Sequence, residues 1–96
     1  MAQTQVFRGT ARNIYTQQDG SVEFWYHSTC VCIIRADKSV RLHSGGWRTV
    51  TTKTAINQAL NQSGLNHIGV FQKKGEWFVS VGDSVLAFFD GIEIKG

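Results

Sequence analysis

Between His43 and Thr54 the chain reads His-Ser-Gly-Gly-Trp-Arg-Thr-Val-Thr-Thr-Lys-Thr, and the rest of the sequence reads as scaffold for this run. Gly45 and Gly46 free the backbone to take φ > 0 or to lie close against a partner. Thr51 or Thr52 is placed to cap the helix expected to follow. The first-turn N–H groups of such a helix are unpaired and carry about half a positive charge. With Arg48 and Lys53 beside them they form a cradle for a phosphate or carboxylate. Ser44, Thr49, Thr51 and Thr52 add hydroxyls, and Trp47 offers a face on which a base can stack. The run matches neither the Walker loop nor the dinucleotide fingerprint, so it suits a small anion without specifying one.

Each of these residues also has a plainer reading. Trp47 can stack on a base, sit at an interface, or fill the gap between helix and sheet. Thr49, Thr51 and Thr52 can be an extended lead-in followed by a cap worth about 1 kcal/mol. Among the histidines, His43 alone stands next to the glycine turn, where it is the one candidate acid/base for phosphodiester cleavage. His27 and His67 fall in no acyl-transfer or metalloprotease pattern. His27, Cys30, Cys32 and His43 are metal-ligand types, but in a continuous strand Cys30 and Cys32 share a face with Ile34 while His27 lies on the other. No metal and no cofactor is expected. The two cysteines, too close in an extended strand for an unstrained disulfide, are read as reduced and buried.

A chain of 96 residues suffices for a single domain, residues 1–96, with one core. Apolar residues at 42% and aromatics at 11% exclude disorder. No apolar run approaches the roughly 20 residues of a membrane span, and Met-Ala-Gln-Thr-Gln-Val lacks the regions of a signal peptide, so a cytoplasmic protein is expected. The net charge of +3 is too small to declare a nucleic-acid binder. Its distribution says more. Arg35, Lys38, Arg41, Arg48 and Lys53 face Asp37 alone, whereas Glu76, Asp83, Asp90 and Glu93 occupy a stretch without a base. Such a dipolar chain suits a ligand face opposite an acidic face, a head-to-tail homo-oligomer, or two ordinary solvated faces.

The elements that must position the run follow from pattern. Val22 to His27 and the apolar run Cys30 to Ile34 are strands, the second central because both parities are apolar. An irregular segment from Thr4 to Tyr15 is a strand with a bulge near Gly9. Val40 and Leu42 point inward from a strand that carries Arg41 and His43 on its other side and delivers the chain to Ser44. A helix from about Thr51 to Gln62 has Ala55, Ile56, Ala59 and Leu60 as its apolar stripe, with Asn57, Gln58, Asn61 and Gln62 on a face expected to be exposed. A hairpin about Lys74-Gly75, a strand from Val85 to Phe89 and a short closing strand Ile92 to Ile94 complete the chain. The predicted class is α+β: a mostly antiparallel sheet of about six to seven strands with one helix packed on it.

The run Leu42 to Lys53, together with Tyr26-His27, Trp77-Phe78-Val79 and the closing Phe88-Phe89-Asp90-Gly91, resembles a group of small bacteriophage-encoded proteins of unassigned function. In that group an Asn often stands where His43 stands, which argues against a catalytic role for it. The resemblance implies a phage accessory protein acting in the infected cell, and carries no reaction. The expected function is therefore non-enzymatic: binding of a nucleotide-like ligand or a nucleic-acid phosphate, in order to counter host defence or modulate host nucleic-acid metabolism. The site residues are Ser44, Gly45, Gly46, Trp47, Arg48, Thr49, Thr51, Thr52 and Lys53, with His43, Arg41, Tyr26 and His27 as secondary candidates. Two other readings stay open, a protein-binding inhibitor of a host or phage enzyme built on the same Trp and Arg, and a small phosphodiesterase.

Overall fold

Turn chemistry divides the chain. In the computed structural model, which describes residues 11–46 and 49–95, Gly20, Gly64, Gly75 and Gly91 all take positive φ at breaks between elements. The elements between them are β1 (Arg12–Thr16), β2 (Val22–Tyr26), β3 (Thr29–Ile34), β4 (Val40–Leu42), α1 (Val50–Gln62), β5 (Ile68–Lys73), β6 (Glu76–Val81), β7 (Ser84–Ala87) and β8 (Ile92–Ile94). The fold is α+β, as the pattern predicts, but the described strands number eight and form two antiparallel sheets. One has the order β1-β2-β3-β4-β8 and the other β5-β6-β7. The division comes at the Phe88 to Gly91 break, after which the chain leaves β7 and lays β8 along β4, Leu42 opposite Ile92. The bulge expected near Gly9 lies outside the described residues.

The helix buries the stripe its periodicity indicated: Ala55, Ile56, Ala59 and Leu60 are each fully enclosed, packed toward β2, β3 and β5. Phe24, Cys32 and Leu42 from one sheet and Val70, Trp77 and Val79 from the other complete a shared core. The helix ends in a Schellman motif, Leu65 N–H donating to Leu60 O at 2.9 Å and Gly64 N–H to Asn61 O at 3.1 Å. This closure needs the positive φ of Gly64, +80°. No helix among the described residues is long and apolar enough to cross a membrane.

Strand parity fails at one place that matters. Phe24 lies opposite Cys32 but Trp25 lies opposite Cys30, so Val31 is an extra residue and β3 bulges there. Val31 and Cys32 are therefore both buried, while Cys30 is only half-buried and does not share the buried face of Cys32 and Ile34. Among the described residues no group of three or more His, Cys, Asp or Glu is placed to hold a metal ion.

The two charged stretches meet within one chain. Because β8 pairs with β4, Glu93 sits opposite Arg41, and its carboxylate is 2.8 Å from Arg35. An exposed pair of this kind contributes about 0–1 kcal/mol, but it removes part of the charge separation evident in the sequence.

Candidate functional site

The loop after β4 is held by two contacts the chain makes at long range. Ser44 donates twice to the same carboxylate oxygen of Asp90, from its N–H at 2.9 Å and from its hydroxyl at 2.6 Å. Gly91 N–H donates to Leu42 O at 2.8 Å, so the turn before β8 is fastened to the end of β4. Asp90 thus fixes Ser44, which is buried. On the other side of the loop, Gly45 presses on Thr29. A Cβ at Gly45 would lie 2.5 Å from the Thr29 hydroxyl oxygen, and φ is +65°, so glycine is required on both counts. Gly46 N–H donates to the Ser44 hydroxyl oxygen at 3.3 Å.

Helix α1 starts one residue earlier than expected, and its cap is Thr49 rather than Thr51 or Thr52. Thr49 is extended, with φ −108° and ψ 163°, and its hydroxyl oxygen accepts from Thr52 N–H at 3.3 Å. The hydroxyls of Thr51 and Thr52 stand 3.1 and 3.0 Å from that of Thr49. The first turn contains no acidic side chain to offset the positive end of the helix.

These threonines and Ser44 form one side of a cleft of about 420 Å³. The other side is the tip of the β2–β3 hairpin, Tyr26 through Thr29, and Val31 of the bulge completes the lining. His27 is in the left-handed region at φ +56°, uncommon for a residue other than glycine, and it donates its N–H to Ala11 O at 2.8 Å. Its ring lies 4.3 Å from that of Tyr26. The Arg12 guanidinium lies over the Tyr26 ring at 4.9 Å.

A second cleft of about 370 Å³ lies beyond the Thr29–Gly45 contact and shares Ser28 and Thr29 with the first. Cys30, Ile33, Arg41, His43 and Gly45 complete it. The Nδ1 of His43 accepts from Gly45 N–H at 3.1 Å, which leaves the proton of the neutral ring on Nε2. Burial, reinforced by the charge of Glu23, raises the Cys30 thiol to about 11, so it is not a thiolate at neutral pH.

The candidate residues therefore divide. Ser44, Thr49, Thr51 and Thr52 gather with Tyr26 and His27 around the first cleft, while His43, Gly45 and Arg41 line the second. Lys53, half-buried in the first turn, lines neither, and Gly46 serves the loop. Trp47 and Arg48 lie outside the described residues. Sequence reasoning passed over Ser28 and Thr29, which join the two clefts, and Asp90, which anchors Ser44. The Asp90-Gly91 pair read as a turn, and nothing in its local pattern connects it to Ser44.

No curated protein and no solved structure matches the chain. A family model does, over residues 2–95, a span that contains the hairpin tip, the glycine loop, the helix start and the Asp90 anchor. The chain is a small phage protein of unassigned function, and it belongs to the family described as Kyanoviridae Gp96 protein.

Proposed function

We propose that this phage protein is a non-enzymatic accessory factor that holds a nucleotide-like anion, or a phosphate of a nucleic acid, in the cleft between the β2–β3 tip and the start of α1. The observation that carries the reading is the lining of that cleft: hydroxyls of Ser28, Thr29, Thr49 and Thr51, the rings of Tyr26 and His27, and the helix N-terminus together. Its volume falls within the range of small-molecule sites. Hydroxyls and helix N–H groups are phosphate donors, and an aromatic wall suits a base. Arg48 and Trp47, adjacent in sequence, would supply charge and stacking. A role against host defence or in host nucleic-acid metabolism fits such a ligand. Titration calorimetry with a panel of mononucleotides tests the proposal. Saturable binding that Thr51→Val weakens about tenfold supports it, and heat no different from buffer for every nucleotide sinks it. Chromatography of the same mixtures detects turnover, which would instead favour a phosphodiesterase.

A second reading, a protein-binding inhibitor, draws on a different feature: Val85, Leu86 and Phe89, within the stretch 85–89, are exposed at 58%, 44% and 58%.

A further inference from the structure

We propose that the second cleft is a phosphate subsite, and that the ligand spanning both clefts is an oligonucleotide of two or more nucleotides. The inference rests on the reading of the first cleft and goes beyond it by naming the ligand class.

Its basis is a cation that enters no ion pair among the described residues. Arg41 stands on the sheet face away from the core, between Ile33 of β3 and Glu93 of β8. Glu93 is the carboxylate directly across from it, yet that carboxylate is held at 2.8 Å by Arg35. A second acid on this face, Glu23 opposite Ile33, accepts from the Trp25 indole N–H at 3.0 Å, and its charge is felt at Cys30 rather than spent in an ion pair with Arg41. Arg41 consequently enters no ion pair among the described residues. The guanidinium lies near Gly91, where a Cβ would meet it at 3.5 Å, an ordinary contact distance.

Around this cation the cleft supplies the remaining donors. His43 keeps its Nε2 proton available because Nδ1 is occupied by Gly45 N–H. Ser28 and Thr29 add hydroxyls, and Ile33 and Cys30 form an apolar wall suited to a sugar edge. A planar guanidinium with an imidazole N–H and hydroxyls matches a phosphodiester, which carries one charge and two acceptor oxygens. The first cleft differs: its described lining has hydroxyls, rings and a helix start, but no carboxylate and no lysine or arginine. The clefts share Ser28 and Thr29, so one ligand with two linked phosphates can reach both. Linked phosphates occur in oligonucleotides, where the second contact acts at high effective concentration.

The test compares deoxyadenylate with its dinucleotide, pdA with pdApdA, by calorimetry on the wild-type chain, Arg41→Gln and Arg41→Lys. Thermal melts verify that the variants fold, as expected for an exposed side chain. The dinucleotide should bind the wild type at least tenfold more tightly than the mononucleotide. Arg41→Gln should erase that gain and leave mononucleotide affinity unchanged, and Arg41→Lys should retain part of it. The salt dependence of dinucleotide binding should lose about one unit of log–log slope in Arg41→Gln. If the wild type binds both probes equally, or Arg41→Gln weakens both alike, the subsite is refuted while the first cleft stands. If the wild type binds neither probe, both readings fall.

Discussion

Asn57 of α1 and Val70 of β5 exchange two hydrogen bonds, Val70 N–H donating to the Asn57 side-chain oxygen at 2.8 Å and the Asn57 amide donating to Val70 O at 2.9 Å. The side chain thereby takes the place of a neighbouring strand on the edge of β5, and it joins the helix to the smaller sheet. Asn61 supports it by donating to Asn57 O at 2.8 Å. Asn57→Ala leaves both backbone groups of Val70 without their partner and is expected to cost about 1–3 kcal/mol. For a domain of this size, that lowers the melting temperature by about 4–8 °C per kcal/mol. Asn57→Asp, which keeps an acceptor but turns a carboxylate toward Val70 O, is expected to melt no higher than the alanine variant. Calorimetric melts that leave either variant at the wild-type temperature would remove this bridge from the account of the fold.

The glycine run makes a separate prediction in which affinity and stability part company. Arg48→Ala is expected to cost about 1.5–3 kcal/mol of nucleotide affinity through loss of a charge-assisted hydrogen bond, with the melt nearly unchanged. Trp47→Ala is expected to cost about 1–3 kcal/mol of affinity if its ring stacks on a base. A lowered melting temperature would assign the ring to the core instead. Lys53→Ala, outside both clefts, should cost less than Arg48→Ala. Titrations and melts on the three variants decide the matter. Early melting of all three with unchanged binding in the folded fraction would make the run scaffold.

What could be read in advance, and what could not, has physical reasons. The stripe Ala55, Ile56, Ala59 and Leu60 was legible because burial follows the helical period, and the Lys74-Gly75 turn because two successive positive φ values, 54° and 80°, are what a tight hairpin needs. Asn57 was not legible: an amide on the polar side of a helix looks like a solvated group until a strand edge is set against it. The bulge at Val31 defeated parity because an inserted residue leaves no mark in a run where every side chain is apolar. Thr49 and Thr51 are chemically alike as caps, and the choice between them depended on how far the loop after Gly46 extends. Ser44 was singled out as a ligand contact, yet its strongest tie is to Asp90, a partner brought by the pairing of β8 with β4, which no local pattern encodes.

Stability should fall off on both sides of neutrality, with opposite signs. Burial holds the Cys30 thiol protonated up to about 11 from an ordinary 9.0, and burial raises Cys32 as well. A raised folded value means the contribution is complete below the unfolded value and is lost as pH climbs through the window from 9.0 to about 11. On the acid side, the Ser21 and Ser39 hydroxyls, helped by the same residues' N–H groups, lower Asp19 and Asp37 below their ordinary 3.8. Their contribution is present above 3.8 and lost as pH drops through the lowered values. Urea midpoints are expected to stay level across the neutral range and decline toward either end. Cys30→Ala should flatten part of the alkaline decline, and a decline of the same steepness in that variant would take Cys30 out of it.

Self-association is expected, and it is expected to run through β7. This strand pairs with β6 on one side only among the described strands, and all four of its residues, Ser84 to Ala87, are exposed. The opposite edge of the same sheet is occupied at Val70 by Asn57, whereas β7 carries no charge, proline or bulge to protect it. Ser84 lies opposite Val81 across a two-residue turn, and Phe88 N–H donates to Trp77 O at 3.1 Å. By the alternation of an antiparallel ladder, Ser84 and Leu86 direct their backbone groups to β6, while those of Val85 and Ala87 face outward. A second copy related by a two-fold axis through Val85 would satisfy them, with Ser84 opposite Leu86 and Asp83 opposite Ala87, so that no like charges meet. Val85→Lys would place two ammonium groups directly opposite each other and should abolish that pairing. Since Val85 is 58% exposed, the substitution should leave the fold intact. Light scattering at high protein concentration and low salt is expected to show a dimer for the wild type and a monomer for Val85→Lys. A wild-type monomer under those conditions, or a dimer that survives the substitution, would exclude β7 as the contact.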